Sequence, residues 1–252
     1  MTSSGVHTVD GVPVWYTHTE GAPGAPRVVF LHGGLSDTRV FEGMTRALED
    51  RFDLWAYDRR AHGRTPDTDE PLGFDSMAAE AVAMIEELIQ PPVHLVGHSD
   101  GASLALLLAT VRPDLVASVS AFSGNLHPAG MMPGEITVAE LADAVRDDYA
   151  ALSPDAIEHL PEVAAKIIRL WFTEPTMTEA HIAAISCPVL IAAPDNDSIR
   201  YEHTLAIHAA IPGARLAIVP GATHMVVEQQ PALCAQLVAE LITTATGGSG
   251  AD

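Results

Sequence analysis

Short apolar runs bounded by turn residues alternate with longer stretches in which apolar residues recur every three or four positions. Such short runs predict buried strands, and the three-to-four spacing predicts amphipathic helices. Strands that alternate with helices are typical of a parallel sheet covered by helices on both faces. We therefore predict an α/β fold built around one mostly parallel, eight-stranded sheet.

The predicted strands begin with a hairpin. Its two strands, residues 6–9 and 12–19, flank the dipeptide Asp10-Gly11, which favours the tight turn of a two-residue hairpin loop. Six further strands are predicted at residues 27–30, 52–57, 93–96, 115–122, 188–193 and 215–219. Helices are predicted near residues 39–49, 76–89 and 102–108.

One long segment interrupts this alternation between the sixth and seventh strands. Residues 124–185 start with several Pro and Gly residues and continue with helical patterns near 138–152, 154–159, 162–172 and 178–185. We therefore divide the chain into a sheet core, residues 1–123 and 186–243, and a helical insertion, residues 124–185. The Gly- and Ser-rich end, residues 244–252, is predicted to be disordered because it can bury few apolar side chains.

Composition restricts the expected partners. The 252 residues are 48% hydrophobic, enough for a large core, and carry a formal net charge of −20. Nucleic acids and anionic membranes would repel such a surface, so neither is an expected partner. Residues 1–10 lack the apolar stretch of a signal peptide, and no apolar run is long enough to span a bilayer. Monomer and homodimer both stay open.

Cysteine usage agrees with this interpretation. Only Cys187 and Cys234 are present, far apart and in apolar settings. Their spacing suggests neither a disulfide framework nor a metal site. We expect a reducing, cytoplasmic location.

The most informative motif is Gly-His-Ser-Asp-Gly at residues 97–101. It follows the apolar strand at 93–96 and opens an Ala- and Leu-rich helix, the strand–turn–helix setting of a Gly-x-Ser-x-Gly nucleophile elbow. The turn directs the hydroxyl of Ser99 toward a helix start, where backbone N–H groups favour a developing oxyanion. An incidental serine in a tight turn is the alternative interpretation. The setting favours Ser99 as a nucleophile.

A serine nucleophile needs a general base and a group that orients this base. His224 is the predicted base because it lies in the loop after the strand at 215–219. The orienting acid is expected after the preceding strand, where the sequence Pro-Asp-Asn-Asp offers both Asp195 and Asp197. On the residues alone, two aspartates compete for this role.

Four separated motifs resemble those of single-domain α/β hydrolases of the esterase, haloperoxidase and C–C hydrolase group. They are Leu-His-Gly-Gly at 31–34, Asp-Arg-Arg-Ala-His-Gly-Arg-Thr at 58–65, the elbow, and the loop that ends in His224. The similarity covers roughly residues 6–241. The resemblance implies a serine hydrolase with no metal and no cofactor.

The resemblance also implies roles for individual residues. The family order of nucleophile, acid and histidine, with the acid loop counted from Pro194, places the acid at Asp197. The family's oxyanion donors map to the backbone N–H groups of Gly34 and Asp100. Two positions depart from the family pattern, because Ala61 and Pro194 stand where glycine is usual.

In this family the insertion after the sixth strand forms a cap over the active site. A cap of about sixty residues is small, which implies a modest substrate. Met131, Trp171 and Phe172 in the cap are candidate substrate contacts, and His32 beside the elbow is a fourth. Ordinary packing is the alternative interpretation for each of them.

The side chain of Asp100, next to the nucleophile, has two interpretations. Its carboxylate could bind a cationic group of a substrate. Alternatively, it caps the elbow helix or pairs with a neighbour such as Arg59, and we expect this structural role.

The resulting hypothesis is acyl transfer to Ser99, with a small-molecule carboxylic ester, thioester or lactone as the substrate. An acyltransferase, a perhydrolase or a C–C bond hydrolase could use the same triad. A non-catalytic ligand-binding protein on the same fold is an alternative of another class.

Overall fold

The computed structural model describes residues 1–247 and contains one sheet with the strand order β1-β2-β4-β3-β5-β6-β7-β8. β1 and β2 are antiparallel, β2 and β4 are antiparallel, and every other neighbouring pair is parallel. The predicted fold class is confirmed. The strands are β1 (Thr2–Val9), β2 (Val12–Thr19), β3 (Arg27–Leu31), β4 (Asp53–Tyr57), β5 (Val93–His98), β6 (Val116–Phe122), β7 (Val189–Asn196) and β8 (Arg215–Thr223).

The predicted hairpin at the N-terminus is present. Asp10 and Gly11 join β1 to β2 with φ angles of 48° and 83°, and Val9 pairs with Val12 across the turn. Both residues of this turn therefore adopt the left-handed conformation that the Asp-Gly dipeptide tolerates.

Helices cover both faces of the sheet. They are α1 (Glu42–Leu48), α2 (Phe74–Ala83), α3 (Asp100–Val111), α4 (Val138–Ala144), α5 (Arg146–Leu152), α6 (Leu160–Thr173), α7 (Glu179–Ile182), α8 (Tyr201–Ala210), α9 (Val226–Gln229) and α10 (Pro231–Gly247). One apolar cluster joins the sheet to α2, α3, α7 and α8, and a second joins the opposite face to α1, α9 and α10. The central strand β5 is buried along its whole length, including its two histidines, so exposed and buried positions do not alternate along it.

The helical insertion contains α4 to α7. Side chains of α4, α5 and α6 form a third apolar cluster, which also includes Ala61 and Leu72 of the sheet core. The predicted single helix at 138–152 is divided at Val145, whose φ and ψ of −115° and 8° leave the helical region. The pattern at 154–159 forms only a short 3-10 turn, Ile157–His159.

The predicted disorder of residues 244–252 is wrong for its first four residues, because α10 continues to Gly247. The hydroxyls of Thr243 and Thr244 donate to the carbonyl oxygens of Ala239 and Glu240, one helical turn earlier. Arg215 of β8 also donates to the hydroxyl of Thr244 at 3.0 Å. The last five residues of the prediction, 248–252, lie outside the described residues.

Among the helices of residues 1–247, none combines the length and the hydrophobicity required to cross a bilayer.

A buried ion pair attaches the insertion to the sheet core. Lys166 of α6 lies 2.7 Å from Oδ2 of Asp67, which also lies 2.8 Å from Nε2 of His159. The side chains of Asp67 and Lys166 are 2% and 14% exposed, so water screens this pair weakly. Burial alone would raise the pKa of the Asp67 carboxyl, but the hydrogen bonds from Lys166 and His159 hold it below its usual value.

We expect Lys166→Met to lower the free energy of unfolding by about 3 kcal/mol, because it leaves a buried carboxylate without its main countercharge. Urea unfolding at neutral pH measures this loss. The double variant Asp67→Asn/Lys166→Met removes both charges and should recover most of it. Because the folded-state pKa of Asp67 is depressed, the stabilisation is complete above its ordinary pKa of 3.8 and is lost at lower pH. Unchanged stability of the single variant would contradict the structural role.

Candidate active site

Ser99 lies at the sharp turn between β5 and α3. Its φ and ψ are 54° and −120°, a conformation that a residue with a side chain rarely adopts. The turn is held by backbone hydrogen bonds from Ser99 N to Phe122 O and from Ala102 N to Ser99 O, both 2.9 Å. The structure therefore contains the predicted elbow, with the hydroxyl-bearing residue in a strained backbone.

Two glycines make this elbow possible. A Cβ atom on Gly97 would lie 2.2 Å from the carbonyl oxygen of Gly101, and one on Gly101 would lie 1.9 Å from the carbonyl oxygen of Leu31. Both contacts are with backbone atoms, which cannot move aside. The spacing of glycines in the motif thus follows from close packing of α3 against β3 and β5.

The structure brings the three residues of the predicted triad together. The Nε2 atom of His224 lies 2.9 Å from the hydroxyl oxygen of Ser99, and its Nδ1 atom lies 2.6 Å from Oδ1 of Asp197. Asp197 follows β7 and His224 follows β8 directly, so neighbouring parallel strands place both at one edge of the sheet. With Nδ1–H donating to the carboxylate, Nε2 is free to accept the serine proton.

Asp197 suits the orienting role electrostatically. Burial raises the pKa of its carboxyl. The hydrogen bond and the charge of His224 lower this pKa by more than burial raises it, so that the net pKa lies below its ordinary value. Asp195 faces elsewhere, because its Oδ1 accepts from the backbone N–H of Gly221 at 2.9 Å and its side chain is exposed. Of the two competing aspartates, only Asp197 contacts His224.

Gly34 and Asp100 lie on two sides of a space next to Ser99. A Cβ on Gly34 would lie 2.6 Å from Oδ2 of Asp100, and a Cβ on Gly33 would lie 3.1 Å from that of Ser99. Because α3 begins at Asp100, the N–H of this residue has no carbonyl partner within the helix. The two backbone segments expected to bind an oxyanion are thus adjacent to the hydroxyl.

His32 does not contact the cavity, so its predicted role in substrate binding is wrong. Its ring is completely buried; Nδ1 donates to Gly33 O at 2.7 Å, and Nε2 accepts from the N–H of Arg59 at 3.0 Å. Burial lowers the pKa of His32 well below its ordinary value, and the charge of Arg59 lowers it further. His32 is therefore a neutral residue that holds two loops together.

A second histidine, His98, supports the candidate base. Its Nε2 donates to the backbone carbonyl of His224 at 2.7 Å, and its ring is buried. Burial, and next the charge of His224, lower the pKa of His98 to about 4, so it stays neutral. His98, which lies between Gly97 and Ser99 of the elbow, thus holds the backbone of the loop that contains His224.

We expect His98→Leu to lower kcat about 100-fold with little change in KM, because a shift of the imidazole of about 1 Å misaligns proton transfer. His98→Gln, whose amide can still donate to the carbonyl of His224, is the matched control and should recover most of kcat. Steady-state kinetics of both variants measures this. A leucine variant with the wild-type kcat would show that His98 only fills space.

A cavity of about 1010 Å³ opens onto the triad between the insertion and the sheet core. This volume lies at the upper end of the usual range for small-molecule sites, and the expectation of a modest substrate stays a prediction. Leu141 of α4 belongs to the third apolar cluster, Trp171 of α6 packs against it, and both also line the cavity. Met131, Trp171 and Phe172 line the cavity, as predicted for candidate contacts, and Phe172 is 55% exposed.

The described residues also contain one group that could reach a metal ion. Oxygen or nitrogen atoms of Asp67, His159 and Glu162 lie within 4.8 Å of one another. The ammonium of Lys166, 2.7 Å from Asp67, already supplies positive charge at this point. The group therefore fits the structural role described above better than metal binding.

The strand order and the elbow define a protein of the α/β-hydrolase class. A sequence profile of the alpha/beta hydrolase family matches residues 28–237, and the chain belongs to this family.

Three curated relatives show the range of the family. The chain is 26% identical to 2-(acetamidomethylene)succinate hydrolase of Mesorhizobium japonicum, over 86% of this chain and 88% of the relative. It is 24% identical to the uncharacterized hydrolase YugF of Bacillus subtilis, over 93% and 96%. It is 31% identical to the mouse sn-1-specific diacylglycerol lipase ABHD11 over 52% of this chain, and the match spans only 43% of that relative.

Among solved structures, the enol-lactonase from Burkholderia xenovorans superposes with a TM-score of 0.77. The alignment covers 94% of this chain and 99% of the lactonase at 18% identity. At this identity, the similarity establishes the common fold.

Proposed function

We propose that the protein is a serine hydrolase that cleaves a small-molecule carboxylic ester, thioester or lactone through an acyl-serine intermediate. The observation that carries this proposal is the continuous chain of hydrogen bonds from Ser99 through His224 to Asp197, located at the floor of a large cavity. A structural serine in a turn would not need a strained backbone or an imidazole at 2.9 Å.

The first half of the proposed reaction is acylation. His224 takes the proton of the Ser99 hydroxyl while the oxygen attacks the substrate carbonyl, and the N–H groups of Gly34 and Asp100 stabilise the tetrahedral oxyanion. Asp197 holds the imidazole in the required tautomer and stabilises its protonated form. His224 then donates the proton to the leaving alcohol, thiol or lactone oxygen.

The second half is deacylation. Water enters through the open side of the cavity, and His224 takes a proton from it as it attacks the acyl-serine carbonyl. The same two N–H groups stabilise the second oxyanion. Collapse of this intermediate returns the proton to Ser99 and releases the carboxylic acid.

We also propose a cytoplasmic location for this activity, supported by the two free thiols, Cys187 and Cys234.

The test is a panel of p-nitrophenyl esters of increasing acyl length, assayed before and after treatment with a fluorophosphonate. The expected result is hydrolysis of at least one ester, complete loss of activity on labelling, and a mass increase confined to the peptide that carries Ser99. Labelling elsewhere, or no hydrolysis and no labelling, would refute the proposal.

A further inference from the structure

The side chain of Arg59, in the loop motif at residues 58–65, is buried and points at the loop that follows β3. It is 1% exposed, and its Nη2 atom donates to the carbonyl oxygens of His32 and Gly33 at 2.8 and 3.0 Å. These two carbonyls directly precede Gly34 in the chain. A buried cation therefore contacts the backbone of the segment that is expected to bind the oxyanion.

The carbonyl of Gly33 and the N–H of Gly34 belong to the same peptide group. In a trans peptide these two bonds point in opposite directions. The oxygen of Gly33 points inward to Arg59, so the N–H of Gly34 points to the other side, where Gly34, Ser99 and Asp100 line the cavity. Among residues 1–247, no backbone oxygen accepts from this N–H, which leaves it available to a ligand.

His32 acts on the same carbonyl oxygen. Its Nε2 accepts from the backbone N–H of Arg59 at 3.0 Å, so its ring hydrogen lies on Nδ1, 2.7 Å from the oxygen of Gly33. This oxygen therefore accepts two hydrogen bonds, one of them from a cation. Both bonds polarise the peptide group, which makes the N–H of Gly34 a stronger donor.

Buried acidic groups compensate the charge of Arg59. Burial lowers the pKa of Arg59, and the charges of Asp100 and Glu80 are among those that raise it. Burial raises the pKa of the Asp100 carboxyl, and the charge of Arg59 lowers it in return. The structural role expected for Asp100 is thus present as an electrostatic pairing with Arg59, while its Oδ2 accepts from the indole N–H of Trp171 at 3.1 Å.

We propose that Arg59 is a positioning residue for oxyanion binding. By holding the carbonyl of Gly33, it directs the N–H of Gly34 toward the oxyanion and strengthens this N–H as a donor. Arg59 does not line the cavity, so it acts through Gly34 and touches no substrate atom. The inference rests on the proposed function, because it concerns the oxyanion of the same reaction. Its effect belongs to the transition state, in which the substrate oxygen gains negative charge.

The test replaces Arg59 by methionine, which fills much of the same space without hydrogen-bond donors. We expect kcat on the best p-nitrophenyl ester to fall about 100-fold with little change in KM, as for one weakened oxyanion donor. A trifluoromethyl ketone adds the Ser99 oxygen to its carbonyl carbon, and the resulting hemiketal oxygen occupies the oxyanion position. Its affinity should fall by a similar factor. A wild-type kcat, or a lowered kcat with unchanged inhibitor affinity, would overturn the inference.

Arg60→Met is the matched control. Arg60 is the next residue in the chain, and its guanidinium donates to the side chains of Thr68 and Ser76 and to the carbonyl of Pro71, each at 3.2 Å. It therefore anchors the same loop motif without contacting the loop after β3, and its variant should retain nearly the wild-type kcat and inhibitor affinity. Equal losses in Arg59→Met and Arg60→Met would indicate general loosening of residues 58–65 and would overturn the inference.

Arg59→Lys keeps a buried positive charge near Asp100 and takes the place of the methionine variant if that variant does not fold. One ammonium cannot reproduce the planar fork of a guanidinium, so kcat and inhibitor affinity should fall together, by about tenfold. Unchanged values of both would overturn the inference while leaving the proposed function intact. Absence of ester hydrolysis and of fluorophosphonate labelling in the wild type would instead refute the proposed function, and this inference with it.

Discussion

Ser99→Ala is expected to lower kcat by about 10⁴-fold or more. The variant loses the attacking oxygen, and neither His224 nor Asp197 can replace it. Alanine keeps the same Cβ atom in the same backbone conformation, so the fold should be unaffected. Ester hydrolysis measured under single-turnover and steady-state conditions, together with a circular dichroism spectrum, checks both statements.

The matched control is Ser198→Ala, because Ser198 also lines the cavity but its hydroxyl forms no hydrogen bond with Ser99, His224 or Asp197. It should retain nearly the wild-type rate. Should Ser99→Ala instead keep that rate, the elbow would not contain the nucleophile.

Asp197→Asn is expected to lower kcat by about 10⁴-fold, the loss known for the equivalent change in a Ser-His-Asp triad. The amide N–H of the asparagine donates a hydrogen bond to Nδ1 of His224, so Nδ1 becomes the acceptor and the ring hydrogen lies on Nε2, which then cannot accept the serine proton. The imidazole would still lie beside Ser99 but could no longer act as its base. Steady-state kinetics on the best ester measures the loss.

Asp195→Asn is the control, because Asp195 lies at the end of β7, two residues before Asp197, and its exposed carboxylate accepts from the backbone N–H of Gly221. We expect a change of about twofold or less, as for an exposed substitution. The reverse ranking of these two variants would assign the acid role to Asp195.

Much of the fold could be predicted because its strands and helices carry strong periodic patterns. The errors occur where local signals and tertiary structure disagree. β8 extends to Thr223 although Pro220 ends the predicted strand, because the last strand of the sheet tolerates a missing N–H on its open side. α8 was not predicted, since Thr204 and Ile207 are its only buried residues and leave a weak amphipathic pattern.

The candidate site also contains residues that could be predicted from the sequence and contacts that could not. Ser99, His224 and Asp197 could be predicted because each follows a strand whose place in the fold is known from the motif order. The contacts of Asp100 with Trp171 and of His98 with His224 join residues 71 and 126 positions apart. Such contacts depend on how the insertion and the last loop pack, and no local pattern encodes them. His32 was misassigned for this reason, because its burial becomes visible only in three dimensions.

The strained backbone of Ser99 lowers the folding stability of this protein. With φ at 54°, any residue that has a Cβ atom is disfavoured at this position by about 1–3 kcal/mol, whereas glycine would be tolerated. Evolution toward greater thermal resistance could therefore gain free energy here only by giving up the hydroxyl. The chain retains Ser99 although its conformation destabilises the fold. Stability is thus lost at this one residue in exchange for the hydroxyl that the proposed activity requires.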